Sequence, residues 1–434
     1  MNWIIFFILL IVTFLVYITA YYNTKSKNMR IKLTIIIFMF FLYSGLGISF
    51  LNDYYPYLIK YSLYLVILVF SILFTFSVLK SKKIGTIDSM SVKFKPIVKI
   101  LSWVYILTII IFLFYPKNVF LNIFNPIEAL TNINLGSSIF QNRLERSQNI
   151  LVTIIGYVRI LSLPFFYITL YFKYKNKPNV IFFIILSITY LDIVISNYWG
   201  RAVLFQPIFF YILYLYKTNK ISFKKIAFVS VLFIIFIIPL VNALSEWRIY
   251  GYFSLNNGNV LINIKNFIES EFSYPRLYSD TIILYRYSNS TDFLKWLITL
   301  PVPSFIYNVD YLPSRMLSEF ILGISYAQPG FYILLPSWLG ESFMTFGPYF
   351  YWINAVVVGI VIGIIASIIE RNKSLEIYDL YFTWLLLSYL RGVSQELIAQ
   401  TIQSMWILIL LVIVYKIVPS YTRIQKIPYR RTVT

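Results

Sequence analysis

Apolar runs near 20 residues long recur along the whole chain, and no other feature constrains its fold as strongly. A helix of that length crosses the hydrocarbon core of a bilayer. Eleven such runs are expected to span, at residues 3–22, 33–50, 61–79, 97–115, 150–172, 180–197, 202–216, 226–244, 349–369, 378–390 and 397–418. The first lacks the basic start and small-residue cleavage site of a secretory signal, so it reads as a retained helix. Runs 202–216 and 378–390 are short, and the former contains Gln206-Pro207, so one of them is expected to be broken or tilted. Only 12% of the residues are charged, against about 25% in soluble domains. That excludes a soluble enzyme, a secreted domain and a disordered chain. The expected fold is an all-α polytopic membrane protein, one integral membrane domain over residues 1–434.

The formal net charge is +20, which on a soluble protein would suggest nucleic acid. Its distribution suggests topology instead. Alternate connections hold 24 of the 37 Lys and Arg residues, mostly as lysine: 23–32, 80–99, 173–179, 217–225, 371–373 and the stretch beyond 415. By the positive-inside rule these face the cytoplasm, leaving the N-terminus outside and the C-terminus inside. The cytoplasmic connections also carry four acids and so account for the whole excess. The outer side balances 12 basic residues with 12 acids, eight of the basic ones being arginine. No nucleic-acid partner is implied.

Two outer segments are too long to be mere connections, 117–149 and 245–348, the latter lying between the eighth and ninth runs. The long one is rich in Trp, Tyr, Leu and Pro rather than disordered in composition. Its semi-apolar, Pro-interrupted pieces, 293–307 and 317–335, suit interfacial or re-entrant helices packed on the bundle. With no Cys and no His, the chain lacks thiolate chemistry, the commonest general base and the commonest metal ligand. Asp, Glu, Lys, Arg, Tyr, Ser and Thr remain, and no cofactor is called for.

Two charges lie inside runs, Arg159 and Asp192. They are either a structural ion pair or a cavity lining in which Arg159 meets a phosphate. Arg201, in Ser196-Asn-Tyr-Trp-Gly-Arg201, and Arg391, in Arg391-Gly-Val-Ser-Gln-Glu396, stand at outer helix ends, as interfacial anchors or anion ligands. Arg248, Arg276, Arg286 and Arg315 join them from the long loop, with Asp280 and Glu341 among its acids. Taken as a set they suit a polar cleft for an anionic lipid headgroup with a carboxylate base. Trp247, Tyr274, Tyr278, Trp296 and Trp338 either stack on sugars or belong to an interfacial aromatic belt.

This layout, with Ser196–Arg201 opening a run, Pro336-Ser-Trp-Leu-Gly-Glu-Ser-Phe-Met-Thr-Phe-Gly347 before the ninth and Arg391-Gly392 near the tenth, resembles bacterial polysaccharide repeat-unit polymerases of the Wzy type. The Gly-Glu and following Phe-Gly ahead of a late helix carry most of the likeness. The paired Arg-x10-Gly motifs of some polymerases do not occur. The resemblance implies an enzyme of the bacterial cytoplasmic membrane that makes O-antigen or capsule by glycosyl transfer on the outer face. A glycan leaves its undecaprenyl diphosphate carrier and joins an incoming lipid-linked unit. It further implies that Arg201, Arg276, Arg315 and Arg391, then Arg159 and Arg248, hold the diphosphate. Glu341, then Asp280, would serve as base. The implied partners are the lipid-linked glycan, membrane lipids and a chain-length regulator.

Three alternatives differ in what they require. A lipid-linked oligosaccharide flippase or other transporter calls for pseudo-repeats and short outer loops, which are not visible. An O-antigen ligase typically uses a loop His, which is absent. A non-enzymatic assembly factor requires no site.

Overall fold

The computed structural model describes all but a few positions of residues 2–80, 90–124, 149–196, 207–221, 272–300, 311–371, 379–387 and 392–402. Among the described residues the regular elements are helical and none is a strand. In chain order the helices are α1 (Trp3–Asn23), α2 (Lys27–Phe40), α3 (Tyr55–Lys80), α4 (Met90–Phe114), α5 (Ile150–Lys173) and α6 (Pro178–Ser196). After them come the short α7 (Tyr278–Leu284), α8 (Ser290–Thr299) and α9 (Pro313–Leu322), then α10 (Ser337–Phe350) and α11 (Trp352–Arg371).

Among the described residues, five stretches are long and apolar enough to cross a membrane: Trp3–Asn23, Lys27–Phe50, Tyr55–Leu79, Pro178–Ile195 and Trp352–Arg371. Their outward surfaces agree with that setting. Phe7, Ile11 and Phe14 of α1, Phe70 and Phe74 of α3, and Phe183 and Leu186 of α6 are all exposed. A soluble surface rarely carries apolar patches of that extent. Runs 97–115 and 150–172 are helical within α4 and α5. Run 226–244 lies outside the described residues, as do parts of 202–216, 378–390 and 397–418.

Local sequence explains where helices begin and end. The Asn2 side chain accepts from the backbone N–H of Ile4 and Ile5, and that of Asn149 from Leu151 and Val152. Ser26 caps α2 through Met29 N–H. Pro313 opens α9 and Gly323 closes it at φ 65°, the left-handed conformation that favours glycine. The second spanning stretch changes helix type as it goes, from α through a π turn (Phe41–Gly45) to a 3-10 turn (Leu46–Phe50). Asn2 N–H donates to the Ser49 carbonyl at 2.7 Å, tying the end of that stretch back to the start of α1.

α3 and α11 form the most extensively packed pair, and α4 with α5 the next. Two glycines one turn apart permit the first. A Cβ on Gly359 would lie 2.6 Å from Ser71 Cβ, and one on Gly363 2.7 Å from Thr75 Cβ. Small residues at a four-residue spacing let two apolar helices approach closely where lipid supplies no hydrophobic drive. At one end of this pair an aromatic core gathers α2, α7 and α10. Phe40 stacks on Tyr61 and Tyr64 with centroids 5.2 and 5.0 Å away, and Tyr278 meets Phe343 edge-on at 5.3 Å.

Candidate functional site

The Pro336–Gly347 segment forms the first part of α10, and every residue from Ser337 to Gly347 is buried. It is a half-helix rather than a span. Its chain breaks at Gly347, whose φ of 76° and ψ of 178° are accessible essentially to glycine alone. Pro348 follows, and the chain runs on into α11. At the other end Ser337 takes a φ of 62°. Its hydroxyl pairs with that of Tyr278 at 3.2 Å, while the Tyr278 hydroxyl donates to the Ser44 carbonyl at 2.9 Å in the π turn.

Glu341 points from this half-helix to the start of another. Its Oε2 accepts the Ser394 N–H at 2.5 Å and its Oε1 the Gln395 N–H at 3.1 Å. Residues 394–402 are helical, so the carboxylate takes two of the unpaired N–H groups at that helix N-terminus. The network continues on both sides. Asn354 Nδ2 donates to Ser394 Oγ at 3.1 Å, and Tyr64 donates its hydroxyl to Asn354 Oδ1 at 2.6 Å. Gln395 Nε2 donates to the Tyr311 carbonyl at 3.3 Å, and Tyr311 pairs with Thr345 at 2.5 Å. All seven of these residues are buried. Burial drives the Glu341 carboxyl up to about 7, with further repulsion from Glu396, while its hydrogen bonds to Ser394 and Gln395 restrain the rise.

Beside this buried network lies a more open corner. Tyr57, on the first turn of α3, packs against Tyr278 at 5.4 Å and Phe343 at 6.2 Å. Lys60 lies over the rings of both Tyr57 and Phe343, at 5.7 and 5.3 Å. Asp280, in the first turn of α7, is half-buried, and desolvation holds its carboxyl above the usual range. Arg276 is exposed in the 3-10 turn Tyr274–Leu277 leading into α7. Gly47 lets that turn sit on the second span, since a Cβ there would fall 2.5 Å from Pro275 Cδ.

Of the residues expected to act as base, Glu341 is fully enclosed with both oxygens engaged, and Asp280 borders the open corner. The helix that Glu341 braces is the one beginning at 394. Of the expected diphosphate ligands, Arg276 is exposed in the turn that leads into α7. Arg315 is held locally, with Nε on Glu319 Oε1 at 3.1 Å and its guanidinium 5.2 Å above Tyr326. Arg159 forms an ion pair with Asp192 and lies over Phe112 at 5.6 Å, which favours the structural reading of that pair. Arg201, Arg248 and Arg391 lie outside the described residues. Tyr278, Trp296 and Trp338 are buried in the protein, so they are neither sugar platforms nor an interfacial belt. Dense packing of the short helices against α10 explains the difference.

Several members of the network went unremarked in the sequence. Asn354 was legible as a lone amide inside the apolar ninth run, since a polar group at such a position usually meets another across a helix interface. Ser394 and Gln395 carried no comparable signal, because their partner Glu341 is more than 50 positions away. Lys32 and Asp379, both counted among the charges of the cytoplasmic connections, form an ion pair with side chains 3% and 2% exposed. The pair is neutral, so the excess of charge on that side stands. No family model matches the chain, and neither a curated protein nor a solved structure shows significant similarity to it.

Proposed function

We propose that this chain is a polymerase of lipid-linked oligosaccharide repeat units, acting at the outer face of the bacterial cytoplasmic membrane. Its N-terminus would lie outside and its C-terminus in the cytoplasm. The observation that carries this reading is the corner where α3, α7 and the buried half-helix meet. There a half-buried carboxyl, Asp280, begins α7 four residues after an exposed arginine, Arg276, and α7 packs on the segment on which the family resemblance rests.

The chemistry asks for little more. A sugar hydroxyl of the incoming unit attacks the anomeric carbon of the growing glycan, and Asp280 takes the hydroxyl proton. The bond from that carbon to the carrier breaks, and its electron pair leaves on undecaprenyl diphosphate. Cationic side chains hold the diphosphate as its charge grows. A carboxyl raised by desolvation is a stronger base than an ordinary aspartate, which suits this role. Glu341 acts from beneath by fixing the helix start at 394–395.

Gene deletion followed by gel analysis of surface glycan tests the reading. The ladder is expected to collapse to a single repeat unit. Complementation with Asp280→Asn should leave it collapsed, with the protein present in the membrane at wild-type level. Loss of all surface glycan would favour a flippase, and an intact ladder in the deletion strain would end the polymerase reading.

A further inference from the structure

The family resemblance supplies no role for Lys60, the cation of the open corner, and its setting is unusual for a lysine near a membrane boundary. Such a side chain ordinarily lays its stem along apolar surface and turns its ammonium toward water or headgroups. Here the ammonium turns the other way. It rests on the face of Phe343, a residue of the buried half-helix, and on that of Tyr57. A ring face attracts the ammonium but supplies no full countercharge. Among the described residues Lys60 has no ion-pair or hydrogen-bond partner, and the Asp280 carboxylate has none either. These charges nonetheless act around Tyr57: Lys60 over its ring, and the carboxylates of Asp53 and then Asp280 through their fields on the Tyr57 hydroxyl. A cation and a carboxylate so placed, yet not joined to one another, leave both free for a ligand that carries an anion and a hydroxyl.

We propose that Lys60, with Tyr57 and Asp280 beside it, binds the phosphate head of a membrane-borne lipid that carries sugar. Lys60 takes phosphate oxygens, while Asp280 faces the sugar end. This rests on the polymerase reading and deepens it by adding a cation from α3 to the arginines of the outer segments. A phospholipid headgroup and free diphosphate share the chemistry that Lys60 would recognise, so the test separates them.

The purified protein in phosphatidylcholine nanodiscs is titrated with undecaprenyl diphosphate, with phosphatidylglycerol and with inorganic diphosphate. Lys60→Gln should weaken undecaprenyl diphosphate at least tenfold, Lys60→Arg should stay within threefold of wild type, and phosphatidylglycerol should be unaffected. Equal weakening of phosphatidylglycerol would make Lys60 a general headgroup anchor and overturn the proposal. Equal weakening of inorganic diphosphate would overturn the lipid-borne source, and unchanged binding of all three would overturn the site. Independently of any variant, undecaprenyl diphosphate should protect Lys60 of the wild-type protein from amine acetylation, as read by mass spectrometry. Absence of protection counts against the site even if Lys60→Gln does not fold. An intact glycan ladder after gene deletion would end the polymerase reading without touching this binding result. A collapsed ladder with unchanged binding would remove Lys60 alone.

Discussion

Glu341 sets a carboxyl without solvent contact against two backbone donors, and the balance between them fixes when it ionises. The unfolded chain titrates this group near 4.5 and the folded chain near 7. The folded state therefore holds the extra proton between those values, and stability falls as pH rises through that window. The favourable contribution is complete below the lower value and lost above the upper one, a swing on the order of 3 kcal/mol. Glu341→Gln removes the titration, so the dependence of the unfolding temperature on pH between 5 and 8 should flatten. The variant should also lose about 1–3 kcal/mol at pH 5, because its amide NH2 cannot accept from the second N–H, whereas the hydroxyl oxygen of the protonated carboxyl still can. Thermal unfolding in detergent across that range decides it, and a slope equal to wild type would show that Glu341 does not titrate there. At this scale the chain's own order was a partial guide. The Gly-Glu pair before a late helix marked position 341, but the residues that receive it are distant in sequence and near only in the folded bundle.

Elements show a different division between what is local and what is not. The break at Phe346-Gly347-Pro348 was legible, since the apolar run resumes only at Tyr349 and a proline disrupts a helix interior. What was not legible is that the residues before the break form a buried half-helix and not a surface loop, because long-range packing of α7 and α9 encloses them. Gly347 should be intolerant on both counts that matter. An added Cβ would sit 2.7 Å from the Tyr285 ring, at a φ of 76°. Strain and overpacking at about 1–3 kcal/mol each give a loss of roughly 3 kcal/mol or more for Gly347→Ala. Gly323→Ala is the internal comparison, since its φ is 65° but nothing lies within 4 Å of the new Cβ. It should cost only about 1–2 kcal/mol. Equal unfolding midpoints for the two variants would mean that Gly347 is not a packed hinge. The Gly359–Gly363 seam belongs with these elements. Its spacing sits in plain view in the ninth run, yet the partner helix α3 lies nearly 300 positions earlier.

For the whole molecule, charge patterning gives the most direct test, because two long-range contacts constrain it. Asn2 bonds to Ser49, and Lys32 pairs with Asp379. The first places the start of α1 level with the end of the second span, and the second places the start of α2 level with residue 379. Basic connections, 23–32 and 371–373, lie at the start of α2 and just before residue 379, so the contacts agree with a single side for those connections, as the positive-inside rule requires. Eleven apolar runs were readable one by one from hydropathy, whereas which of them touch was not, because apolar faces alone do not specify partners in lipid. The absence of cysteine makes the orientation directly measurable, since each introduced thiol is unique in the chain. Asn52→Cys, in the exposed turn before α3, should react with a membrane-impermeant maleimide in intact spheroplasts. Lys25→Cys, between α1 and α2, should react only after permeabilisation. Both changes fall on exposed connecting residues, where surface substitutions usually shift stability by no more than about 0.5 kcal/mol. The reverse pattern would invert the chain, turn the Lys60–Asp280 corner toward the cytoplasm, and remove it from any reaction on the outer face.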